Sequence, residues 1–195
     1  MGPTGGARGD PPLARRALFV DRDGTLIPDL HYLKDAERLE LFAGVTEALI
    51  RARQHGELVV CVTNQSGIER GLYTTGDVER IHARLNELLG RSGARVDAFY
   101  FCPHVPERGC RCRKPGTELF ERAARDLHLD LATSVFVGDR RVDVEAGRRL
   151  GIVTALVRTP GHEAAVDREL SDAGLRADLV ADSFLSAVER LLAWS

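Results

Sequence analysis

The sequence predicts an α/β protein in which a Rossmann-like parallel sheet carries helices on both faces. Three observations predict it. Short apolar runs alternate along the chain with stretches of helical periodicity, the signature of strand–helix–strand units. The first of these runs, Ala17-Leu18-Phe19-Val20, is continuous rather than alternating, as in parallel strands covered on both sides. The main runs end in polar clusters, at the sheet edge where open α/β sheets place their ligands.

The first strand, residues 17–20, is followed by Asp21-Arg22-Asp23-Gly24-Thr25. Residues 29–42 show little periodicity and form a long loop, and a helix over 46–55 is closed by Gly56. The second strand, 58–62, ends in Thr63-Asn64-Gln65-Ser66-Gly67. Val78, Ile81, Leu85, Leu88 and Leu89 recur at helical spacing over 75–89. A third strand, 98–101, leads into a loop bearing cysteines and a histidine, and a helix over 117–127 starts with Thr117 as its cap. The fourth strand, 135–137, runs into Gly138-Asp139-Arg140-Arg141-Val142-Asp143. A helix over 142–150 stops at Gly151, a fifth strand spans 153–157, and a helix occupies about 164–173. A short strand at 179–180 and a helix over 184–192 complete the order. The gaps between the polar clusters are too short for a large inserted cap domain. Loops 29–42 and 66–74 and the Cys/His loop are therefore expected to roof the site.

The 195 residues suffice for one buried α/β domain over 17–195. Residues 1–16 are rich in Gly, Pro and Arg, lack the apolar core of a signal peptide, and read as a disordered tail. With 44% apolar residues and a formal charge of −2, the composition implies no membrane and no nucleic-acid attraction. No apolar run reaches the length of a membrane span. Arg108, Arg111, Arg113 and Lys114 make only a small basic patch. A cytoplasmic monomer acting on a small molecule is expected.

Asp21 and Asp23, two residues apart at a strand end, can face one small volume, one carboxylate attacking while the other handles a proton. Thr63, Lys114 and Asp139 add a hydroxyl, a cation and another acid at later strand ends. Together they suit a phosphoryl group with a divalent cation such as Mg²⁺, which favours carboxylates, water and phosphate oxygens. Asp143 either reaches the metal through water or caps the helix starting beside it. Of the four cysteines, Cys61 reads as a small buried thiol. Cys102, His104, Cys110 and Cys112 offer three thiolates and an imidazole, a tetrahedral Zn²⁺ set. Cys110 and Cys112 are too close for an easy mutual disulfide.

The four clusters, in this order from Asp21 to Asp143, resemble the motifs of the haloacid dehalogenase-like phosphatases. The resemblance implies that Asp21 is the nucleophile, forming an aspartyl-phosphate, and that Asp23 is the general acid/base. It implies that Thr63 and Lys114 hold the phosphoryl group. Mg²⁺ would be bound by Asp21, Asp139 and the main-chain carbonyl of Asp23. The Cys/His loop resembles the structural zinc loop of phosphatases acting on D-glycero-D-manno-heptose 1,7-bisphosphate, and a related loop occurs in histidinol-phosphate phosphatases. The segments from Thr63 to Gly71 and from Tyr100 to His104 look more like the heptose enzymes. Removal of the 7-phosphate of the heptose bisphosphate is the implied activity, with hydrolysis of histidinol phosphate or another small phosphate ester as the alternative. A zinc-stabilised phosphate-binding domain is the non-enzyme reading. Two departures stand out: Pro115 is followed by Gly116-Thr117 where a Pro-Gly-Met-like segment is usual, and Arg140 stands where the family often has Lys.

Substrate contacts are expected from Asn64, Gln65 and Ser66, from Arg113 and Arg140, whose guanidinium groups could bind a second phosphate, and from Asp29, His31 and Tyr32 in the roofing loop. His55, His82 and His128 read as surface positions of helices, and His162 as opening the helix at 164.

Overall fold

The computed structural model describes residues 15–159 and 163–194. His162 and residues 1–14 of the expected tail lie outside the described residues. Six strands, β1 (Ala17–Val20), β2 (Leu58–Asn64), β3 (Ala98–Cys102), β4 (Val135–Gly138), β5 (Val153–Val157) and β6 (Leu179–Ala181), pair in parallel in the order β3-β2-β1-β4-β5-β6. The helices are α1 (Val45–Gln54), α2 (Thr75–Gly90), α3 (Glu118–Leu127), α4 (Arg141–Leu150), α5 (Glu163–Asp172) and α6 (Phe184–Leu192). Among the described residues none is long and apolar enough to cross a membrane.

The alternation of side chains along β1 explains its unbroken apolar sequence. Leu18 and Val20 join a core with α1, α2 and α6, through Val45, Leu49, Ile81, Leu85 and Val188. Ala17 and Phe19 face the other way, into a core with α3 built on Phe120, Phe136 and Val62. Phe120 stands edge-on to Phe19 and Phe136, at ring-centroid distances of 5.1 and 5.0 Å. A smaller cluster under α5 joins Val144, Leu156, Val166 and Leu170. Both faces of the sheet are thus buried, as a parallel sheet requires.

The sheet contacts start earlier than expected. Arg15, assigned to the tail, bridges Leu129, its amide donating to the His128 carbonyl at 3.0 Å. Arg16 Nε lies 3.4 Å from Glu57. Loop 29–42 contains one 3-10 turn, Ala36–Arg38, capped by Asp35. Thr117 occupies the residue before α3, but its hydroxyl donates to Glu121 at 2.6 Å and caps no amide. His82 is the clearest difference. It is buried at 6% exposure, on the inner side of α2, stacked on Phe99 with centroids 4.2 Å apart.

Register brings the polar clusters together. Val20 lies beside Cys61 of β2 and Val137 of β4, so Asp21, Thr63 and Asp139 fall within about a residue of one level, although β2 itself runs on to Asn64 beside β3. That level is the carboxyl edge of the sheet. β1 sits between the two halves of the strand order, at the crevice where such folds bind ligands.

Candidate active site

Asp21 follows β1, and its amide is tied to the Val137 carbonyl of β4 at 2.9 Å. Its side chain is 10% exposed and pairs with Lys114 Nζ at 2.7 Å. Lys114 Nζ also lies 2.8 Å from Asp143, and both side chains are about 2% exposed. Asp139 completes the group, since Asp21, Asp139 and Asp143 bring carboxylate oxygens within 4.8 Å of one another. Three buried acids around one ammonium leave an excess of negative charge in a site closed to most water. Burial pushes the Asp21 carboxyl up to about 6, Lys114 pulling it down and Asp143 adding to the rise. Burial, with Asp21 and Asp143 adding to it, pushes Asp139 up to about 8, against Arg140 and Lys114. Burial alone would lower Lys114, but Asp143 and Asp21 outweigh it and hold its pKa above the ordinary value. The surplus charge and all-oxygen donor set fit a hard divalent cation.

Local structure explains why each acid points inward. Gly24 has φ +86°, and a Cβ there would come 2.1 Å from Asp139 Oδ2, so only glycine lets the Asp21–Thr25 loop pass this close. Thr25 donates its hydroxyl to Asp139 at 3.3 Å. Of the two roles expected for Asp143, the structure shows the helix cap, together with a lysine contact that was not expected. One oxygen accepts the Arg140 amide at 2.9 Å and caps α4, while the other faces Lys114. Asn64 bonds reciprocally to the Lys114 main chain, accepting its amide at 3.0 Å and donating to its carbonyl at 3.2 Å, which fixes β2 to the lysine-bearing loop.

Asp23 does not join the carboxylate cluster. Its side chain turns instead to Arg22 and Gln65. It lines a cavity of about 230 Å³ with Asp29, His31, Tyr32, Asn64, Gln65 and Ser66, most of the expected substrate contacts. A larger depression, about 650 Å³ around Ile152–Thr154, opens at the other edge of the sheet, far from these groups.

Two of the expected substrate contacts, Arg113 and Arg140, are outside this cavity. Arg140 is held between Asp139 at 3.2 Å and Asp29 at 3.0 Å. Arg113 donates to the His104 carbonyl at 3.0 Å and so braces the Cys/His loop. Gln65 is 3% exposed, and both its amide ends are used internally. Sequence reasoning missed Arg22, Tyr73 and Thr159. Thr159, beyond β5, donates to the Gly24 carbonyl at 2.8 Å. The signal available for Arg22 was its place between two aspartates at a strand end.

Cys102, His104, Cys110 and Cys112 converge beside this site. Their Sγ–Sγ separations are 3.2, 3.3 and 3.5 Å, and His104 Nδ1 lies 3.3 Å from Cys112 and 3.6 Å from Cys102. A tetrahedral zinc with Zn–S near 2.3 Å requires edges of roughly 3.5–3.8 Å, so these donors need only a slight expansion. The loop is fastened to the β2 exit: the main-chain N–H of Gln65 donates to the Cys102 carbonyl at 2.7 Å, and Glu69 accepts from the Val105 main-chain N–H at 2.6 Å and from Arg108 Nε at 2.8 Å.

Comparison with known proteins agrees with this geometry. Residues 111–187 match a family described as HAD-hydrolase-like. A D-glycero-D-manno-heptose-1,7-bisphosphate 7-phosphatase of Chlorobaculum tepidum is 37% identical over 186 residues, covering 89% of this chain and 92% of the relative. A D-glycero-beta-D-manno-heptose-1,7-bisphosphate 7-phosphatase of Haemophilus ducreyi is 34% identical over 183 residues, covering 90% and 98%. The crystal structure of D,D-heptose 1,7-bisphosphate phosphatase from B. bronchiseptica, complexed with magnesium and phosphate, superposes with a TM-score of 0.82 at 33% identity, covering 92% of this chain and 99% of that one. The chain belongs to the D-glycero-D-manno-heptose-1,7-bisphosphate 7-phosphatase family of haloacid dehalogenase-like hydrolases.

Proposed function

We propose that this protein is a magnesium-dependent phosphatase that removes the 7-phosphate of D-glycero-D-manno-heptose 1,7-bisphosphate. The observation that carries the reaction class is the buried set of Asp21, Asp139 and Asp143 around Lys114. The sugar is supported by the names of the relatives.

Asp21 attacks phosphorus with one carboxylate oxygen. The new Asp21–phosphorus bond forms as the bond to the sugar oxygen breaks, and Asp23 delivers a proton to that oxygen. Asp23 then takes a proton from water, whose oxygen displaces Asp21 from phosphorus and releases inorganic phosphate. Lys114 and the Thr63 hydroxyl stabilise the equatorial oxygens of the transferring group. A magnesium ion held by Asp21, Asp139 and the Asp23 carbonyl would supply the positive charge that lets a phosphate dianion approach a carboxylate.

The substrate assignment is tested by kcat/KM across both anomers of the heptose bisphosphate, histidinol phosphate and fructose 1,6-bisphosphate. One heptose anomer is expected to lead by at least about tenfold, the scale of a single well-placed contact. Relatives are named for the beta and for the alpha anomer. A lead for histidinol phosphate would overturn the sugar and leave the mechanism standing.

Cys102, His104, Cys110 and Cys112 would hold a structural zinc, all four positions being filled by protein. Metal analysis should give about one zinc per chain. Cys110→Ser should loosen the loop and, through Arg113 and Lys114, lower kcat/KM. Active protein that contains no zinc after growth with zinc would refute the assignment. The reading implies a cytoplasmic setting, where the three thiolates stay reduced.

A further inference from the structure

The carboxylate of Asp23 is gripped on two sides. From below, Arg22 gives it Nη2 at 2.9 Å to Oδ2 and 3.1 Å to Oδ1, with Nε 3.3 Å from Oδ1. Arg22 is 1% exposed, unusual for an arginine. Burial alone would weaken its charge, and Asp23 outweighs that and raises its pKa. Its remaining arm, Nη1, lies 3.4 Å from His82 Nε2. Burial, followed by the Arg22 charge, pulls His82 down to about 3, so the ring is neutral and its Nε2 accepts.

From the side, Gln65 Nε2 donates to Asp23 Oδ2 at 2.8 Å and to the Thr63 hydroxyl at 2.8 Å. The other end of the amide, Oε1, accepts the Tyr73 hydroxyl at 2.7 Å. The Asp23 carboxylate, which only accepts, fixes the sense of the amide, and the Tyr73 hydroxyl, which can donate, meets the oxygen end. A flipped Gln65 would set its oxygen against the Asp23 carboxylate and its NH₂ against the Tyr73 oxygen, leaving the carboxylate without this donor. The ring of Tyr73 is 7% exposed and fills the space over Gly67, where a Cβ would come 2.3 Å from the ring. Every polar atom of Gln65's amide is committed inside the protein, although the residue borders the substrate cavity.

We propose that Tyr73 and Gln65 are positioning residues for proton transfer: with Arg22 they clamp the Asp23 carboxyl against the wall of the 230 Å³ cavity, where the leaving oxygen departs. The proposal rests on the reading of Asp23 as the acid and base. A general acid acts only within hydrogen-bond reach of the oxygen it protonates, and a displacement of about 1 Å can cost about a hundredfold. The clamp fixes that reach before substrate arrives. Tyr73 makes no contact with the carboxylate of Asp21, and Gln65 reaches the phosphoryl-holding groups only through its bond to the Thr63 hydroxyl.

Tyr73→Phe removes one hydroxyl and keeps the ring over Gly67. With a sugar primary phosphate its kcat should fall about tenfold or more, within the range general acid catalysis commands, while KM changes less than about twofold. With 2,4-dinitrophenyl phosphate, whose leaving group needs no proton, the pre-steady-state burst of dinitrophenol should keep its wild-type rate. Steady turnover should slow, because Asp23 must still activate water. Gln65→Leu should lower sugar-phosphate turnover further and, because it also releases the Thr63 hydroxyl, slow the burst to a lesser degree. Equal losses in the burst and in sugar-phosphate turnover would overturn the proposal in favour of a folding role, and so would unchanged sugar-phosphate turnover. Asp23→Asn run alongside separates the two readings. If it is impaired while Tyr73→Phe is normal, the clamp alone falls; if Asp23→Asn is itself undiminished, the acid–base role falls and takes the clamp with it.

Discussion

Asp21→Asn is expected to lower phosphatase turnover by about 10⁴-fold or more, the scale seen when a nucleophile is removed, while the protein still folds. Asparagine has the shape of aspartate, but its amide cannot form the acyl phosphate. The fold should tolerate it because Lys114 keeps Asp143 at 2.8 Å, and one buried negative charge is removed from a site that has an excess. Inorganic phosphate release measures the loss, and circular dichroism with a thermal melt verifies the fold. Acid quenching during turnover should trap phosphate on the wild-type chain and none on the variant. Near-normal turnover in folded Asp21→Asn protein would remove Asp21 from the nucleophile's role.

The sequence made the frame and the charged centre of this site legible for a physical reason. Parallel strands buried on both faces must be continuously apolar, so Ala17–Val20, Leu58–Val62 and Val135–Val137 mark themselves. Polar residues directly after such runs fall on the carboxyl edge, and parallel register places them within about a residue of one level. Asp21, Thr63 and Asp139 are therefore readable as neighbours. What was not legible depends on partners from distant elements. The spacing Val78, His82, Leu85 puts His82 on the apolar stripe of α2, yet only the arrival of Arg22 and Phe99 makes that burial tolerable. Arg140 and Arg113 have the chemistry of anion binders. Asp29 and Asp139 hold the first, and the His104 carbonyl engages the second. Gln65 reads as a loop residue until Tyr73 is seen to commit its amide.

Lys114→Met should be the most destabilising change at the site as well as abolishing catalysis. Methionine approximates the length of lysine and supplies no charge, so Asp21 and Asp143 lose the ammonium at 2.7 and 2.8 Å and face each other and Asp139 nearly dry. Breaking a buried ion pair from one side costs about 3–5 kcal/mol, which for a chain of this size lowers Tm by roughly 10 °C. The measurement belongs in magnesium-free buffer without chelator, so that metal at the cysteine cluster is left in place. The sign of the pH dependence follows from the carboxyls. Asp21 at about 6 and Asp139 at about 8 lie above their ordinary 3.8, so the folded state binds protons the unfolded chain would release. That support is complete below about pH 4 and is lost as the pH rises through 6 and 8. Wild-type protein without magnesium should thus melt lower at pH 8 than at pH 5. The variant should fall more steeply, because Lys114 no longer holds the acids down. Magnesium should raise the Tm of Lys114→Met more than that of wild type, the added cation replacing the missing charge. It should not restore turnover, since the group that meets the transferring phosphoryl oxygens is gone. A variant that melts like wild type at pH 8 without magnesium would show that the ammonium contributes nothing to holding these acids together.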